Sequence, residues 1–277
     1  MEHVTSELFV GRQRELEQFE SLLTPAAGMT VLSVHTQGDG GIGKTQLLRR
    51  MQQICAARPE EVAFTRELID FYHTESRSRM GVMSQIAVNL GLRHFPDFAG
   101  CVRQYQDTAD ASKREELLAQ VQEVFRRNYQ AFSEKMARSG KVIALFFDTY
   151  EVIQNVDPLS RDAEIEVTRF SHWLESHLFP CLSDNTRLII SGRYPVQELD
   201  CARFRVIELN LAHFSLADTV ALWKHCFAVE TDAALKERGF LGGTDLEAAL
   251  GAMAAHARSK PARALDLDAD GVATLGG

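Results

Sequence analysis

Gly38-Asp39-Gly40-Gly41-Ile42-Gly43-Lys44-Thr45 fits the pattern GxxxxGK[ST] in full, and the apolar run Met29–His35 precedes it. Apolar residues recur at helical spacing from about Lys44 to Ala57, so the stretch predicts a strand, a loop and a helix. Glycines let the backbone curl until successive N–H groups point at phosphate oxygens, and the helix N-terminus adds partial positive charge. We expect Lys44 to reach the β- and γ-phosphates and Thr45 to offer its hydroxyl to Mg²⁺. A chance glycine-rich turn would not explain the flanking strand and helix, so the sequence predicts a site for ATP or GTP with Mg²⁺.

A second predicted strand ends on a carboxylate. Val142–Phe147 is the strongest apolar run in the chain, and Asp148 follows it directly. A loop of this kind needs a Mg²⁺-directed carboxylate at the end of a neighbouring buried strand, and Asp148 supplies one. The alternative for Asp148 is a helix N-cap. Glu151 is a candidate to polarise the water that attacks the γ-phosphate. Its alternative is an exposed glutamate that favours the helix dipole.

An arginine follows a further predicted strand. Leu188–Ser191 leads through Gly192 to Arg193, which should emerge at the same edge of the sheet as the glycine-rich loop. An arginine there can contact the γ-phosphate and so distinguish a triphosphate from a diphosphate. The alternative is a solvated loop arginine. We favour the phosphate role because the three motifs converge on one edge.

Short apolar runs alternate with longer amphipathic stretches, which is the pattern of a parallel α/β sheet. Strands are predicted over residues 29–35, 62–65 with 68–71, 142–147, 186–191 and 204–209. Beyond Phe214 the pattern is helical, so we place an α/β domain over residues 1–209 and a helical lid over residues 210–277. The segment 95–110, which contains Pro96, is expected to be irregular. Ser112-Lys113-Arg114-Glu115 is expected to open a long helix as a capping box.

The composition is that of an ordinary soluble protein, with 277 residues of which 45% are hydrophobic and 25% charged. The formal net charge of −8 argues against sequence-independent binding to nucleic acid, which needs a basic surface. The five cysteines are scattered and form no CxxC pair, which argues against a disulfide framework and a zinc site. The N-terminus does not have the pattern of a signal peptide, and no apolar run could span a bilayer. We therefore expect a soluble, cytoplasmic protein that does not bind membranes.

Taken together, the motifs resemble those of the STAND class of P-loop ATPases, which includes NACHT and NB-ARC proteins and is related to AAA+ ATPases. Phe9-Val10-Gly11-Arg12-Gln13-Arg14-Glu15-Leu16 resembles the FVGRxxEL box that precedes the P-loop in these proteins. Gly38–Thr45 resembles their GxGGIGKT P-loop. Phe146–Glu151 looks like a Walker B strand with the NACHT-type second acidic residue, and Ile190–Arg193 looks like the sensor 1 segment.

The last third of the chain continues the resemblance. Leu209–His225 resembles the start of the helical lid, and Ser259–Leu265 resembles the GxP motif with Ser259 in place of the usual glycine. The resemblance implies a P-loop NTPase fold, in which a parallel sheet flanked by helices is followed by a small all-helical lid subdomain. It also implies adenine as the base, with Val10 and Gly11 beside it.

The resemblance assigns roles to individual residues. It implies catalytic roles for Lys44, Asp148, Glu151 and Arg193, and Mg²⁺ coordination by Thr45 and Asp148. ATP or ADP would be held by a larger set of residues: Val10, Gly11, Arg12, Gly38, Asp39, Gly40, Gly41, Ile42, Gly43, Lys44, Thr45, Gln46, Arg193 and Pro261.

Three function hypotheses follow. The resemblance implies a regulatory ATPase with slow or no hydrolysis, in which ADP holds a closed form and exchange for ATP drives opening and self-association. The effector and sensor domains of such proteins are missing here, so we expect a fragment of a longer protein or partners encoded elsewhere. The second hypothesis is an AAA+ ATPase acting on DNA or protein, which the acidic charge and the lack of an arginine finger disfavour. The third is a non-catalytic nucleotide-binding module. A P-loop kinase for a small metabolite ranks fourth, because the sequence indicates no acceptor pocket.

Overall fold

The computed structural model describes residues 9–36, 41–154, 170–196, 204–215, 218 and 221–222. Within them, helices flank a six-stranded sheet on both faces. The strands are β1 (Thr30–His35), β2 (Val62–Phe64), β3 (Ile69–Asp70), β4 (Val142–Asp148), β5 (Thr186–Ser191) and β6 (Arg205–Asn210). The α-helices include α1 (Gln13–Leu22), α2 (Lys44–Ala56), α3 (Arg79–Leu90), α4 (Pro96–Asp107), α5 (Ala111–Arg138) and α6 (Glu151–Gln154). Short 3₁₀ or π-helical turns cover Pro25–Ala27, Thr74–Arg77, Leu92–His94, Leu174–Leu178 and Phe179–Cys181.

The sheet is parallel throughout, so the carboxyl ends of its strands meet at one edge. The strand order is β2-β4-β5-β1-β6, and β3 pairs with β4 beyond the end of β2. The register places Asp70 beside Asp148 and Val34 beside Ser191. Because β5 lies between β1 and β4, the carboxyl ends of these three strands are neighbours at the same edge.

Each central strand is buried on both faces, which explains its continuous apolar sequence. Val31 and Phe147 pack into a core under α3, α4 and α5. Their neighbours Leu32 and Phe146 pack into the opposite core, under α1 and α2. This alternation follows from the two-residue side-chain period of a strand. The expected parallel α/β architecture is therefore confirmed.

The predicted second strand is divided in two. β2 ends at Phe64 and β3 begins at Ile69. Between them, the hydroxyl oxygen of Thr65 accepts a hydrogen bond from the backbone N–H of Phe146 at 3.0 Å. A side-chain oxygen thus takes the place of a backbone carbonyl in the ladder, and regular pairing stops there.

Two local predictions are wrong. The segment expected to be irregular contains the helix α4, and Pro96 lies in its first turn, where its missing N–H has no intrahelical partner to lose. The long helix α5 is not capped by Ser112. Its N-cap is Asp110, whose Oδ1 accepts hydrogen bonds from the backbone N–H groups of Ser112 and Lys113 at 3.0 and 3.3 Å.

The predicted lid lies largely outside the described residues. β6 ends at Asn210, where the lid is expected to begin, and residues 211–215 continue as an irregular segment. Of the residues after 215, only 218 and 221–222 are described, and they are helical. None of the helices in the described ranges is long and apolar enough to cross a membrane.

Candidate functional site

Asp148 is the centre of a hydrogen-bonded cluster at the carboxyl edge of the sheet. It is only 3% exposed. Its Oδ2 accepts a hydrogen bond from Thr45 Oγ1 at 2.7 Å, and its Oδ1 accepts one from Ser191 Oγ at 2.6 Å. Oδ1 also accepts the backbone N–H of Thr149 at 2.9 Å. Three donors therefore fix the orientation of this carboxylate. They come from α2, from the end of β5 and from the residue after β4.

The described part of the glycine-rich loop has the backbone shape that its glycines allow. Gly41 and Gly43 have φ angles of 76° and 92°, in the left-handed region that favours glycine. Ile42 is buried in the core beneath α2 and anchors the loop. Gly43 is the N-cap of α2. The next two residues, Lys44 and Thr45, are half-buried in the first turn of that helix.

The predicted nucleotide-binding residues also include four outside the described ranges and one on α2. Gly38, Asp39, Gly40 and Pro261 lie outside the described residues. Gln46 is described and is exposed on the first turn of α2.

Glu151 and Arg193 lie beside each other at the same edge. Arg193 Nε is 3.4 Å from Glu151 Oε1, and the two side chains are 53% and 17% exposed. The other carboxylate oxygen of Glu151, Oε2, is buried and accepts no hydrogen bond from the described part of the chain. A Cβ atom at Gly192 would lie 3.5 Å from that oxygen, so the glycine leaves room next to it. The two residues predicted to act on the γ-phosphate thus form a pair with one unsatisfied acceptor.

Sequence reasoning missed three residues of this cluster: Ser191, Thr149 and Asp70. Thr149 has a φ angle of 59°, and its Oγ1 donates to Asp70 Oδ1 at 2.7 Å. Asp70 and Ser191 both end strands of the parallel sheet, as Asp148 does. The rule that selected Asp148, a polar residue at the carboxyl end of a predicted strand, would have selected Ser191 as well. It would not have selected Asp70, because the predicted second strand runs on to Phe71. No comparable signal exists for Thr149, because its role depends on its backbone conformation.

The box at Val10–Arg12 contacts the chain that leaves β6. Arg12 Nη2 donates to the carbonyl oxygen of Ala212 at 2.7 Å, and its guanidinium lies 4.8 Å from the centre of the Phe214 ring. A Cβ atom at Gly11 would lie 3.2 Å from the carboxylate of Asp218. The box therefore connects the sheet domain to the first residues of the predicted lid. Val10 is half-buried beside it.

His35 is buried directly before the glycine-rich loop. Its Nε2 is 3.7 Å from Glu208 Oε2 on β6. Burial lowers the pKa of His35 from its ordinary value of 6.5, because removal from water disfavours the charged ring. The charge of Glu208 opposes this shift, and that of Lys44 adds to it. His35 is consequently neutral at pH 7.

Comparisons with known proteins do not identify a family for this chain. No protein-family model matches it. No curated protein matches it by sequence. Among solved structures, it is similar to a chain of the Escherichia coli MS115-1 HORMA:CdnC:Trip13 complex, with 10% identity and a TM-score of 0.47. That alignment covers 87% of this chain and 77% of the other. A match at this level assigns neither a family nor a function.

Proposed function

We propose that this chain binds ATP or ADP with Mg²⁺ at the carboxyl edge of its sheet and acts as a STAND-type switch with slow hydrolysis. The observation that carries the proposal is the hydrogen bond between Thr45 and Asp148, residues separated by 103 positions. They belong to two separate motifs, one for a phosphate loop and one for a magnesium carboxylate. A glycine-rich turn that matched the pattern by chance would not be expected to place its threonine within hydrogen-bond distance of that carboxylate.

The donor set fits a magnesium ion. The Thr45 hydroxyl donates a hydrogen bond to Asp148. The lone pairs of the hydroxyl oxygen therefore stay available for a cation. Mg²⁺ prefers oxygen ligands and keeps several waters, so a hydroxyl, one carboxylate and phosphate oxygens form a sufficient site. Among the described residues, no group of three or more His, Cys, Asp or Glu side chains could hold a metal ion without the phosphates. When bound, Mg²⁺ would neutralise charge on the phosphate oxygens.

The start of α2 supplies groups that bind phosphate. The backbone turns at Gly41 and Gly43 into a helix of 13 residues, whose first N–H groups have no intrahelical partners. The helix dipole adds partial positive charge at that end, and Lys44 adds a full charge in the first turn. These groups would hold the phosphates beside Thr45 and Asp148.

Glu151 and Arg193 suit the γ-phosphate end of the site. Glu151 would orient the attacking water and accept its proton, for which its unsatisfied Oε2 is available. Arg193 would exchange Glu151 for the γ-phosphate when a triphosphate binds, because a guanidinium forms charge-assisted, bidentate hydrogen bonds with phosphate as it does with a carboxylate. With ADP bound, the ion pair between Arg193 and Glu151 would remain intact. This exchange would allow the site to discriminate between ATP and ADP.

The contacts of the Val10–Arg12 box suggest how nucleotide could be coupled to the predicted lid. Arg12 and Gly11 contact Ala212, Phe214 and Asp218, which follow β6. An adenine bound beside Gly11 would be adjacent to those residues. The position of the lid would then depend on the bound nucleotide. Self-association, or binding of an effector protein, would depend in turn on the position of the lid.

The first test is the identity and affinity of the nucleotide. The purified protein is denatured and the released nucleotide identified, and binding of ATP and ADP with Mg²⁺ is then measured by calorimetry. Lys44→Ala should lower ATP affinity by at least about tenfold, since it removes a charged phosphate contact. Lys113→Ala, at an exposed position of α5, is the matched control and should bind as the wild type does. Equal affinity in both variants would overturn the proposal.

The second test separates the regulatory switch from a working ATPase. Turnover of ATP and the molecular mass in solution are measured with ADP and with a non-hydrolysable ATP analogue. The switch predicts slow turnover, a marked decrease of that turnover in Glu151→Gln, and a larger species only with the triphosphate. Fast turnover that DNA or protein stimulates would favour the AAA+ alternative. Binding without turnover would favour the non-catalytic module.

A further inference from the structure

Thr149 has a backbone conformation that its side chain disfavours. Its φ angle is 59°, and β-branched residues are rare in this left-handed region because Cβ crowds the backbone. Conformations of this kind persist only where surrounding contacts hold them, and they cluster at functional sites. Thr149 lies between the carboxylate of Asp148 and the first residue of α6, Glu151. The contacts that hold it therefore bear on where Glu151 lies.

One of those contacts comes from outside the predicted motifs. Thr149 Oγ1 donates to Asp70 Oδ1 at 2.7 Å, and the same oxygen accepts the backbone N–H of Tyr72 at 2.8 Å. Asp70 itself is fixed by the sheet, where its register partner is Asp148. Its second oxygen, Oδ2, lies 3.9 Å from Nε2 of His73, whose side chain is 68% exposed. Asp70 thus ties Thr149 to the end of β3.

The turn at Thr149 leads directly into α6. The backbone N–H of Val152 donates to the carbonyl oxygen of Thr149 at 3.1 Å, which closes the first turn around Glu151. The N–H of Tyr150 donates to the carbonyl oxygen of Ser191 at 2.9 Å. A change in the conformation of Thr149 would therefore rotate the start of α6 and move the Glu151 carboxylate.

We infer that Asp70 is a positioning residue for Glu151: through its hydrogen bond to Thr149, it holds the carboxylate where an attacking water would lie. The inference rests on the proposed ATPase function and adds to it a residue that none of the predicted motifs contains. It concerns hydrogen bonding and not charge, because Asp70 accepts from a neutral hydroxyl and a backbone amide. An asparagine can accept the same two hydrogen bonds through its own Oδ1.

Four variants test this inference by steady-state ATP hydrolysis, with nucleotide affinity measured separately by calorimetry. Asp70→Ala should lower kcat by about 10- to 100-fold, as expected for a misplaced catalytic group, with the ATP dissociation constant within about threefold of wild type. Thr149→Val keeps the branched side chain, removes the hydroxyl and should match Asp70→Ala. Asp70→Asn should retain kcat within about threefold, because it can accept both hydrogen bonds. The double variant Asp70→Ala/Glu151→Gln should be no slower than Glu151→Gln alone.

The outcomes separate this inference from the proposed function. If Asp70→Asn is as slow as Asp70→Ala, or if Asp70→Ala slows the Glu151→Gln protein further, Asp70 does not act by positioning Glu151. If the wild type binds ATP but does not hydrolyse it, the inference fails and nucleotide binding stands. If the wild type binds no nucleotide, both the inference and the proposed function fail. Far-ultraviolet circular dichroism and thermal unfolding of each variant exclude loss of the fold as the cause of a low kcat.

Discussion

Replacing Arg187 by methionine should destabilise the protein by about 3 kcal/mol, the net effect of lost hydrogen bonds and a removed buried charge. Arg187 lies on β5 and is only 1% exposed. Its guanidinium donates to the carbonyl oxygens of Leu22, Thr24, Asp184 and Thr186, at distances of 2.6 to 3.0 Å. Leu22 is the last residue of α1, so Arg187 satisfies a carbonyl that the helix leaves without a partner.

The magnitude follows from which carbonyls water can reach. The hydrogen bonds to Leu22 and Thr186 are buried, whereas those to Thr24 and Asp184 are partly exposed. Each buried acceptor left without a donor costs about 1–3 kcal/mol, so two cost about 2–6 kcal/mol. Burial lowers the pKa of Arg187 to about 10, so the side chain is still charged at pH 7. Methionine removes the desolvation penalty of that charge, which offsets part of the loss.

Equilibrium unfolding in urea, followed by circular dichroism, measures this change. Arg205→Met is the matched control, because Arg205 also lies on a strand of this sheet but is exposed. The control should change the free energy of unfolding by less than about 0.5 kcal/mol. Arg187→Lys should recover only part of the loss, because an ammonium group does not have the planar fork of donors. If Arg187→Met is within about 0.5 kcal/mol of wild type, the assigned role of the four hydrogen bonds is wrong.

Three further predictions concern the site. Arg193→Ala should weaken ATP binding by about tenfold, the effect of one charged hydrogen bond, and leave ADP binding unchanged. Calorimetry with both nucleotides checks this, and an equal loss for ATP and ADP would exclude the γ-phosphate role. Ser191→Ala removes a donor to Asp148 and should weaken Mg²⁺-dependent ATP binding by about three- to tenfold, with binding in EDTA as the control. Burial lowers the pKa of His35 from 6.5, so as the pH falls the unfolded state takes up a proton before the folded state does. The stabilising effect of a neutral, buried His35 is therefore present above pH 6.5 and is lost as the pH falls below 6.5. Urea midpoints at pH 7.5 and 5.5 should show this drop in the wild type and a smaller one in His35→Asn, and equal drops would contradict the assignment.

Much of the sheet could be predicted from sequence because its strands are buried on both faces. A strand such as β4 must be apolar at every position to fill two cores, and such a run stands out from amphipathic helices. The same burial made Asp148 conspicuous, as a charged residue at the end of an apolar run. Its contact with Thr45 then follows from two motifs that meet at one edge.

The errors arose where a local signal competes with tertiary packing. Pro96 predicts an interruption of helical structure, yet a proline in the first turn is compatible with a helix. Phe98 of that helix packs against Phe125 of α5, with ring centres 5.4 Å apart. The roles of Asp70 and Thr149 could not be predicted, because they depend on strand register and on a positive φ angle, neither of which a single sequence specifies.

The position of β5 between β1 and β4 fixes the size of the site. Neighbouring strands are about 4.8 Å apart, so the ends of β1 and β4 are separated by about 10 Å. That span is determined by the backbone hydrogen bonds between the strands. Ser191, at the end of the intervening strand, donates to Asp148, so a substitution at this position changes the hydrogen bonding beside the gap and leaves the backbone ladder in place. The hydrogen-bonding chemistry between the two strand ends can therefore vary at position 191 independently of the distance between those ends.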